Sequence, residues 1–346
     1  MKRTLTILAI IATLSLLSAC NFDPHYYEDK ISVAMTIVPD WSIDEIHQPE
    51  QPTGVTSYSF CREDGEVIRT SSNKVDTFTT HLNPGTYDLV VINQSYDEFG
   101  TVEFLDQKSY KDVRVKLIVI DSKTKWYASK AEITTVSNFP EWMVCSRVED
   151  LEFVKGHTVY RKREEDTKKT VIDTLIDTPM APMKPMTFQV QMNVHIKGFQ
   201  NLYSARAVTS GWASERLLST NLTNDKNTAF ALEKWSATKQ TDTTGIISIT
   251  FRTLGLPSTF TGNRDDNVLE LSCLLGDLKT VADFDLPFGD LIEIKQSEKI
   301  EVVIDIWKTR DGKDIILPDV DLPEGGGGFQ AYVEEWMEEI EQTITF

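Results

Sequence analysis

Leu17-Ser18-Ala19-Cys20 is a short motif with a definite chemistry. Small residues ahead of a cysteine let a lipoprotein signal peptidase cut the bond before Cys20, whose thiol then takes a diacylglycerol group. The new amino terminus can be acylated as well. Lys2 and Arg3 supply a basic start and Leu5 to Leu17 an apolar stretch. At about fifteen residues that stretch is short for a bilayer core, so a cleaved signal peptide is expected rather than a retained transmembrane helix. Several acyl chains, at about 0.8 kcal/mol per buried methylene, hold a protein on a membrane almost permanently. The expected layout begins with a signal peptide over 1–19 and a tether over 20–30. Asn21 stands where an aspartate would favour inner-membrane retention, so the outer membrane is expected. Glu28 and Asp29 arrive late for a surface-export cluster, and the choice between periplasmic and surface face stays open.

Other residue types point to no catalysis. His25, His47, His81, His157 and His195 lack the spacings that put two metal ligands on one helix face. The chain has no zinc-protease signature, no Gly-x-Ser-x-Gly elbow, no phosphate-cradling glycine loop and no dinucleotide fingerprint. Asp265-Asp266-Asn267 and Asp319-Val320-Asp321 offer oxygens suited to calcium, yet neither is a full ligand set. With 53 acidic residues, carboxylate pairs occur by chance and discriminate nothing. A non-enzyme is expected, without metal or cofactor.

Flat aromatic faces stack on sugars, and the chain has seven tryptophans: Trp41, Trp126, Trp142, Trp212, Trp235, Trp307 and Trp336. Strand-borne aromatics usually fill a core. Trp41 beside Pro39 and Asp40, and Trp142 beside Pro140, are therefore the better glycan-stacking candidates. Beyond Cys20, Cys61, Cys145 and Cys273 sit in apolar contexts, as small buried hydrophobes or with a Cys61–Cys145 bridge.

Composition narrows the partner class. Asp and Glu number 53 against 35 Lys and Arg, a net charge of −18. No basic face is available to displace counterions from phosphates, so nucleic acid is excluded as a partner. Charge alone would not hold the chain on anionic lipid either.

Elements of β type must position these residues. From Ile31, apolar and polar residues alternate, and strand-like runs follow at Val55–Cys61, Glu66–Thr70, Thr86–Asn93 and Val113–Ile120. Asp64-Gly65 and Asn83-Pro84-Gly85 supply the turns. Pro179, Pro182 and Pro185 then suggest an extended spacer. A second domain opens with the alternation over Met186–Lys197 and continues at Ile246–Arg252, Val268–Leu275, Leu278–Phe284 and Ile300–Ile306. The expected class is all-β: two tandem β-sandwiches over 31–170 and 186–318, a linker over 171–185, and a Gly-rich acidic tail over 319–346.

No Lys or Arg follows Lys313, and Gly325 to Gly328 form a joint before the final segment. Phe329, Val333, Trp336 and Ile340 recur at helical spacing, while Phe329, Ala331 and Val333 also alternate as a strand would. Those four residues are the candidate partner-facing positions, whether the tail is helix or strand.

The lipobox ending at Cys20, the strand from Ile31, the run from Leu82 to Asn93, Thr209-Ser210-Gly211-Trp212-Ala213 and the acidic tail together resemble a known group. The chain looks like the fimbrillin-like, DUF5119-type lipoproteins of gut Bacteroidales. That resemblance implies tandem Greek-key, transthyretin-like β-sandwiches and a role as pilus anchor, accessory subunit or adhesin. In polymerising members a protease cuts after an Arg or Lys beyond the first strand. A neighbour's strand fills the groove so opened. Here no Arg or Lys lies between Ile31 and Cys61. An uncleaved anchor, or a lipoprotein that keeps the fold without polymerising, fits better, and its partners would be the membrane and other fimbrial subunits. The alternative is a carbohydrate-binding lipoprotein of a polysaccharide uptake system, with a surface glycan as partner.

Overall fold

The computed structural model describes residues 33–41, 51–120, 126–129, 135–153, 159–161, 173–177, 181–262, 265–292, 301–321 and 329. Among these, no residue is α-helical and strands dominate. The first sandwich contains β1 (Val33–Ile37), β2 (Pro39–Asp40), β3 (Val55–Cys61), β4 (Val67–Ser72), β5 (Phe78–Leu82) and β6 (Gly85–Asn93). It is completed, after an excursion through β7 (Val102–Leu105) and β8 (Arg114–Leu117), by β9 (Val144–Phe153), β10 (Val159–Arg161), β11 (Asp173–Asp177), β12 (Ala181–Pro182) and β13 (Lys184–Pro185). One sheet runs β10-β11-β1-β5 and the other β13-β9-β6-β3-β4. Their shared core includes Met35, Ile37, Phe78, Leu82, Leu89, Val91 and Val144.

Within the proline-spaced stretch, the described residues 173–177 and 181–185 pack on the first sandwich. β11 pairs with β1 in parallel, Ala181 and Pro182 pair with Pro39 and Asp40, and Lys184 and Pro185 pair with Cys145 and Val144. Met183 is fully buried in the first core. Proline lacks an N–H, but two-residue edge strands ask few donors of the chain and so tolerate it.

The second sandwich is built from β14 (Phe188–Lys197), β15 (Leu202–Ala213), β16 (Glu215–Leu217), β17 (Asn227–Leu232) and β18 (Ser236–Lys239). It continues through β19 (Thr244–Thr253), β20 (Val268–Leu275), β21 (Val281–Pro287) and β22 (Glu301–Ile306). Its sheets run β18-β19-β14-β22 and β17-β15-β20-β21. Trp235, Phe230, Ile247, Leu271 and Ile304 lie between them, almost fully buried. Within β15 the register shifts between Thr209 and Trp212. Gly211 sits at that bulge with φ +82°, and a Cβ there would collide with the Asp266 carbonyl oxygen. Only glycine accepts both the left-handed backbone and the close approach.

A third sheet, β16-β8-β7, joins the two halves. Its β7–β8 hairpin comes from the excursion between β6 and β9, and β16 comes from the second half. The excursion goes on to Val136, bridged to Ala229 of β17, so it reaches across to the second sandwich. Phe99, Val102, Val115 and Leu117 cover the outer face of β3 and β6 and merge with the second core. That is why every residue of β3 is buried, on both faces. Glu215 of β16 is 3% exposed and gathers Lys226 Nζ at 2.8 Å, Asn224 Nδ2 at 2.7 Å and Arg114 Nε of β8 at 3.1 Å.

Candidate functional site

β1 occupies an inner position, antiparallel to β5 over Val33–Ile37 and parallel to β11 over Val33–Thr36. Its alternation puts Met35 and Ile37 inward, at 0% and 1% exposure, against Phe78 and Leu82. Thr80 beside it is buried too, and its hydroxyl meets that of Thr70 at 2.7 Å. An inner strand of this kind closes a groove whose rims are β5 and β11. Its removal would leave a row of unpaired backbone donors and acceptors and an apolar trough, which is what a partner strand recognises.

The two tryptophans selected for sugar stacking are half-buried against the first core. The Trp41 indole N–H donates to the Val75 carbonyl at 2.9 Å, and the Trp142 carbonyl accepts from Asn93 Nδ2 at 3.0 Å. Both therefore work in part as core residues, because the strand ends beside Pro39 and Pro140 pack on the sandwich. Phe329 is half-buried and packs on the large core, as does Val320. Cys20, Val333, Trp336 and Ile340 lie outside the described residues.

Among the described tryptophans the exposed one is Trp307, just beyond β22, at 57% exposure. Trp212 and Trp235 are buried, and Trp126 is half-buried, donating to Glu233 Oε1 at 2.6 Å. Trp307 stacks on His195 of β14, with ring centroids 3.3 Å apart and planes 12° from parallel. Around this pair, His195 Nε2 lies 3.5 Å from Asp305 Oδ1, and Asn193 Nδ2 donates to the same oxygen at 3.0 Å. Gln191 and Ser248 in turn donate to Asn193 Oδ1, at 3.2 and 2.8 Å. β22 lies at the edge of its sheet, so the platform sits at a margin. The signal was present in the alternation: Ile304 and Ile306 are fully buried while Val303 and Trp307 are exposed. Close by, hydrogen bonds from Lys197 and Lys308 hold the Asp314 carboxyl down at about 2.

Cys61, Cys145 and Cys273 are unpaired and buried. Burial pushes the Cys145 thiol up to about 11, against partial opposition from Arg147 and Arg216. The acidic turns weighed for calcium make protein contacts instead. Asn267 Nδ2 donates to the Gly211 carbonyl at 3.0 Å, Asp265 pairs with Arg310, and Asp319 Oδ1 accepts from Asn201 Nδ2 at 3.0 Å. Among the described residues no group of three or more His, Cys, Asp or Glu is arranged to hold a metal.

The chain is similar to several solved structures. A candidate adhesin from Bacteroides ovatus is 14% identical, with 86% of this chain and 96% of that one covered and a TM-score of 0.56. A candidate adhesin from Bacteroides thetaiotaomicron is 9% identical, with 82% and 93% covered and a TM-score of 0.48. The fimbrial anchor protein Mfa2 from Porphyromonas gingivalis is 12% identical, with 82% and 99% covered and a TM-score of 0.46. The first of these establishes a common fold. No curated protein matches the chain. The profile of a domain of unknown function, DUF5119, matches residues 19–233, from just ahead of Cys20 to the end of β17. With that match spanning more than half of its length, the chain belongs to the DUF5119 family.

Proposed function

We propose that the protein is a non-catalytic, outer-membrane lipoprotein of fimbrillin type, anchored through Cys20 and acting as a pilus anchor, accessory subunit or adhesin. The observation that carries this reading is the seat of β1. The strand is buried between β5 and β11, and the sequence from Ile31 to Cys61 offers no Arg or Lys to a trypsin-like protease. A subunit built this way keeps its own groove closed and ends a strand-exchange series at the membrane, where the acyl chains hold it. The fold shared with a Bacteroides ovatus candidate adhesin agrees with it. The tail, rich in Glu and bearing Trp336, would be the part offered to a neighbouring subunit.

The test is an immunoblot of outer-membrane fractions, unheated and boiled in detergent, with Cys20→Ala as control. A heat-sensitive high-mass species that disappears with Cys20→Ala is the expected result. A single monomer band under both conditions would count against the assembly role, and an unchanged membrane fraction for Cys20→Ala would count against the anchor.

Trp307 favours a second reading, capture of a surface glycan. Its exposed ring stacks on His195, next along the sheet to the Asn193–Asp305 pair, groups able to hydrogen-bond sugar hydroxyls. On a glycan array Trp307→Ala should abolish any binding the parent chain shows, while Trp41→Ala and Trp142→Ala should reduce it only through stability. Retention of glycan binding by Trp307→Ala would remove this reading.

A further inference from the structure

A second feature of the second sandwich is a cleft that Val302 and Val303 of β22 help to line. Phe188, Val190, Trp212, Leu222, Leu256 and Phe260 make it an open, mostly apolar cleft of about 820 Å³, whose polar groups are Asn221, Thr223, Thr253, Ser258 and, as its one charged side chain among the described residues, a cation. That cation is Arg216 of β16, 8% exposed. Its Nε donates to Asn221 Oδ1 at 2.9 Å, and its Nη1 to the carbonyls of Leu254 at 2.6 Å and Met186 at 3.3 Å. Its guanidinium carbon lies 4.9 Å over the Phe188 ring.

Among the described residues, no carboxylate pairs with Arg216 and no acceptor meets its Nη2. Burial, with Arg147 nearby as a like charge, pushes this guanidinium down to about 10. A buried charge without a counter-ion is costly, more so than the three neutral acceptors repay. In a chain with 53 acidic residues, a lone buried arginine on a cleft wall is a mismatch unless something brings the anion.

We propose that this cleft binds a carboxylate carried on an apolar body, with Arg216 Nη2 facing the anion and Trp212, Phe188 and Leu222 covering the body. The class is that of fatty-acid and aryl carboxylates. A planar guanidinium fixed by its other nitrogens is a pre-organised partner for such a group. The cleft volume is in the range of small-molecule sites, which pair apolar walls with few polar groups. The site is independent of the anchoring role, and its failure would leave that role untouched.

The test uses the full chain carrying Cys20→Ala, titrated calorimetrically with dodecanoate, 2-naphthoate and the neutral dodecanol. Saturable one-to-one binding of at least one carboxylate is expected, with dodecanol at least ten-fold weaker than dodecanoate if the acyl form is the one taken. Arg216→Gln should weaken the carboxylate at least ten-fold and leave dodecanol unchanged. Leu222 is 63% exposed at the mouth, so Leu222→Glu should keep the fold and also weaken the carboxylate by repulsion. It decides the question if Arg216→Gln does not fold. No saturable binding of either carboxylate, or a carboxylate affinity indifferent to both substitutions, overturns the proposal.

Discussion

A chain carrying Met35→Ala and Ile37→Ala together should lose the fold of its first sandwich near room temperature. Both side chains are essentially without solvent contact, and both face the same core as Phe78, Leu82 and Leu89. Each truncation removes buried methylenes and leaves a cavity, so the pair costs about 4 to 8 kcal/mol. That approaches the whole stability of an ordinary domain, about 5 to 15 kcal/mol. Urea unfolding followed by near-ultraviolet circular dichroism measures it. The same variant supplies a sharper reading, since a synthetic peptide spanning Val33 to Trp41 should restore part of the lost signal by occupying the groove in trans. An unchanged urea midpoint would mean that β1 is a passenger on the sheet, and the closed-groove argument would go with it.

The second large effect is at the joint between the halves. Glu215→Ala should destabilise the β16-β8-β7 sheet by about 2 to 4 kcal/mol, because it removes the acceptor of Asn224 and Lys226 and one of the two carboxylates that pair with Arg114, the other being Asp106. The value lies toward the low end for buried pairs because the Lys226 side chain is 60% exposed and can return to water. Glu215→Gln keeps an acceptor and should cost about half as much. Limited trypsinolysis reads the effect directly, as Lys108 and Lys111 lie in the hairpin loop between β7 and β8. Faster cleavage there in Glu215→Ala, with Glu215→Gln intermediate, is expected. Equal cleavage in all three chains would show that the sheet is held by packing alone.

Much of this architecture was legible before any coordinates, for identifiable reasons. The runs at Val55–Cys61 and Val268–Leu275 coincide with β3 and β20, and Met186–Lys197 begins two residues ahead of β14. Val55–Cys61 and Met186–Lys197 are dense in β-branched or aromatic residues and Val268–Leu275 in leucine, and turn formers bound them. β15 was not legible. Its Ala, Ser and Gly residues are buried on both faces, and the bulge at Gly211 breaks the period of two. β9 was hidden by Arg147, Glu149 and Asp150, the last two of which are exposed where the register with β6 shifts opposite Asp88, so charge interrupts the apolar pattern in mid-strand. Pro182 and Pro185 lie in two-residue strands, where proline reads in sequence as it would in a spacer.

The sites divide in the same way. Trp41 and Trp142 were chosen for their irregular flanks, and those flanks fold back onto the core. Trp307 was set aside as strand-borne, yet parity on β22 points it outward with Val303. Arg216 carried no signal at all, since a single arginine in Glu215-Arg216-Leu217 becomes unusual only when its surroundings prove to be apolar.

The position of β1 has a mechanical side. A pull on the chain ahead of Val33 acts along the strand axis. Its bonds to β5 run the length of Val33–Ile37 and those to β11 the length of Val33–Thr36, so both ladders are loaded together in shear. A hairpin strand at a sheet margin would instead peel open one bond at a time. A body tethered from that end would therefore resist drag as a latch does, yielding abruptly at a high force or not at all.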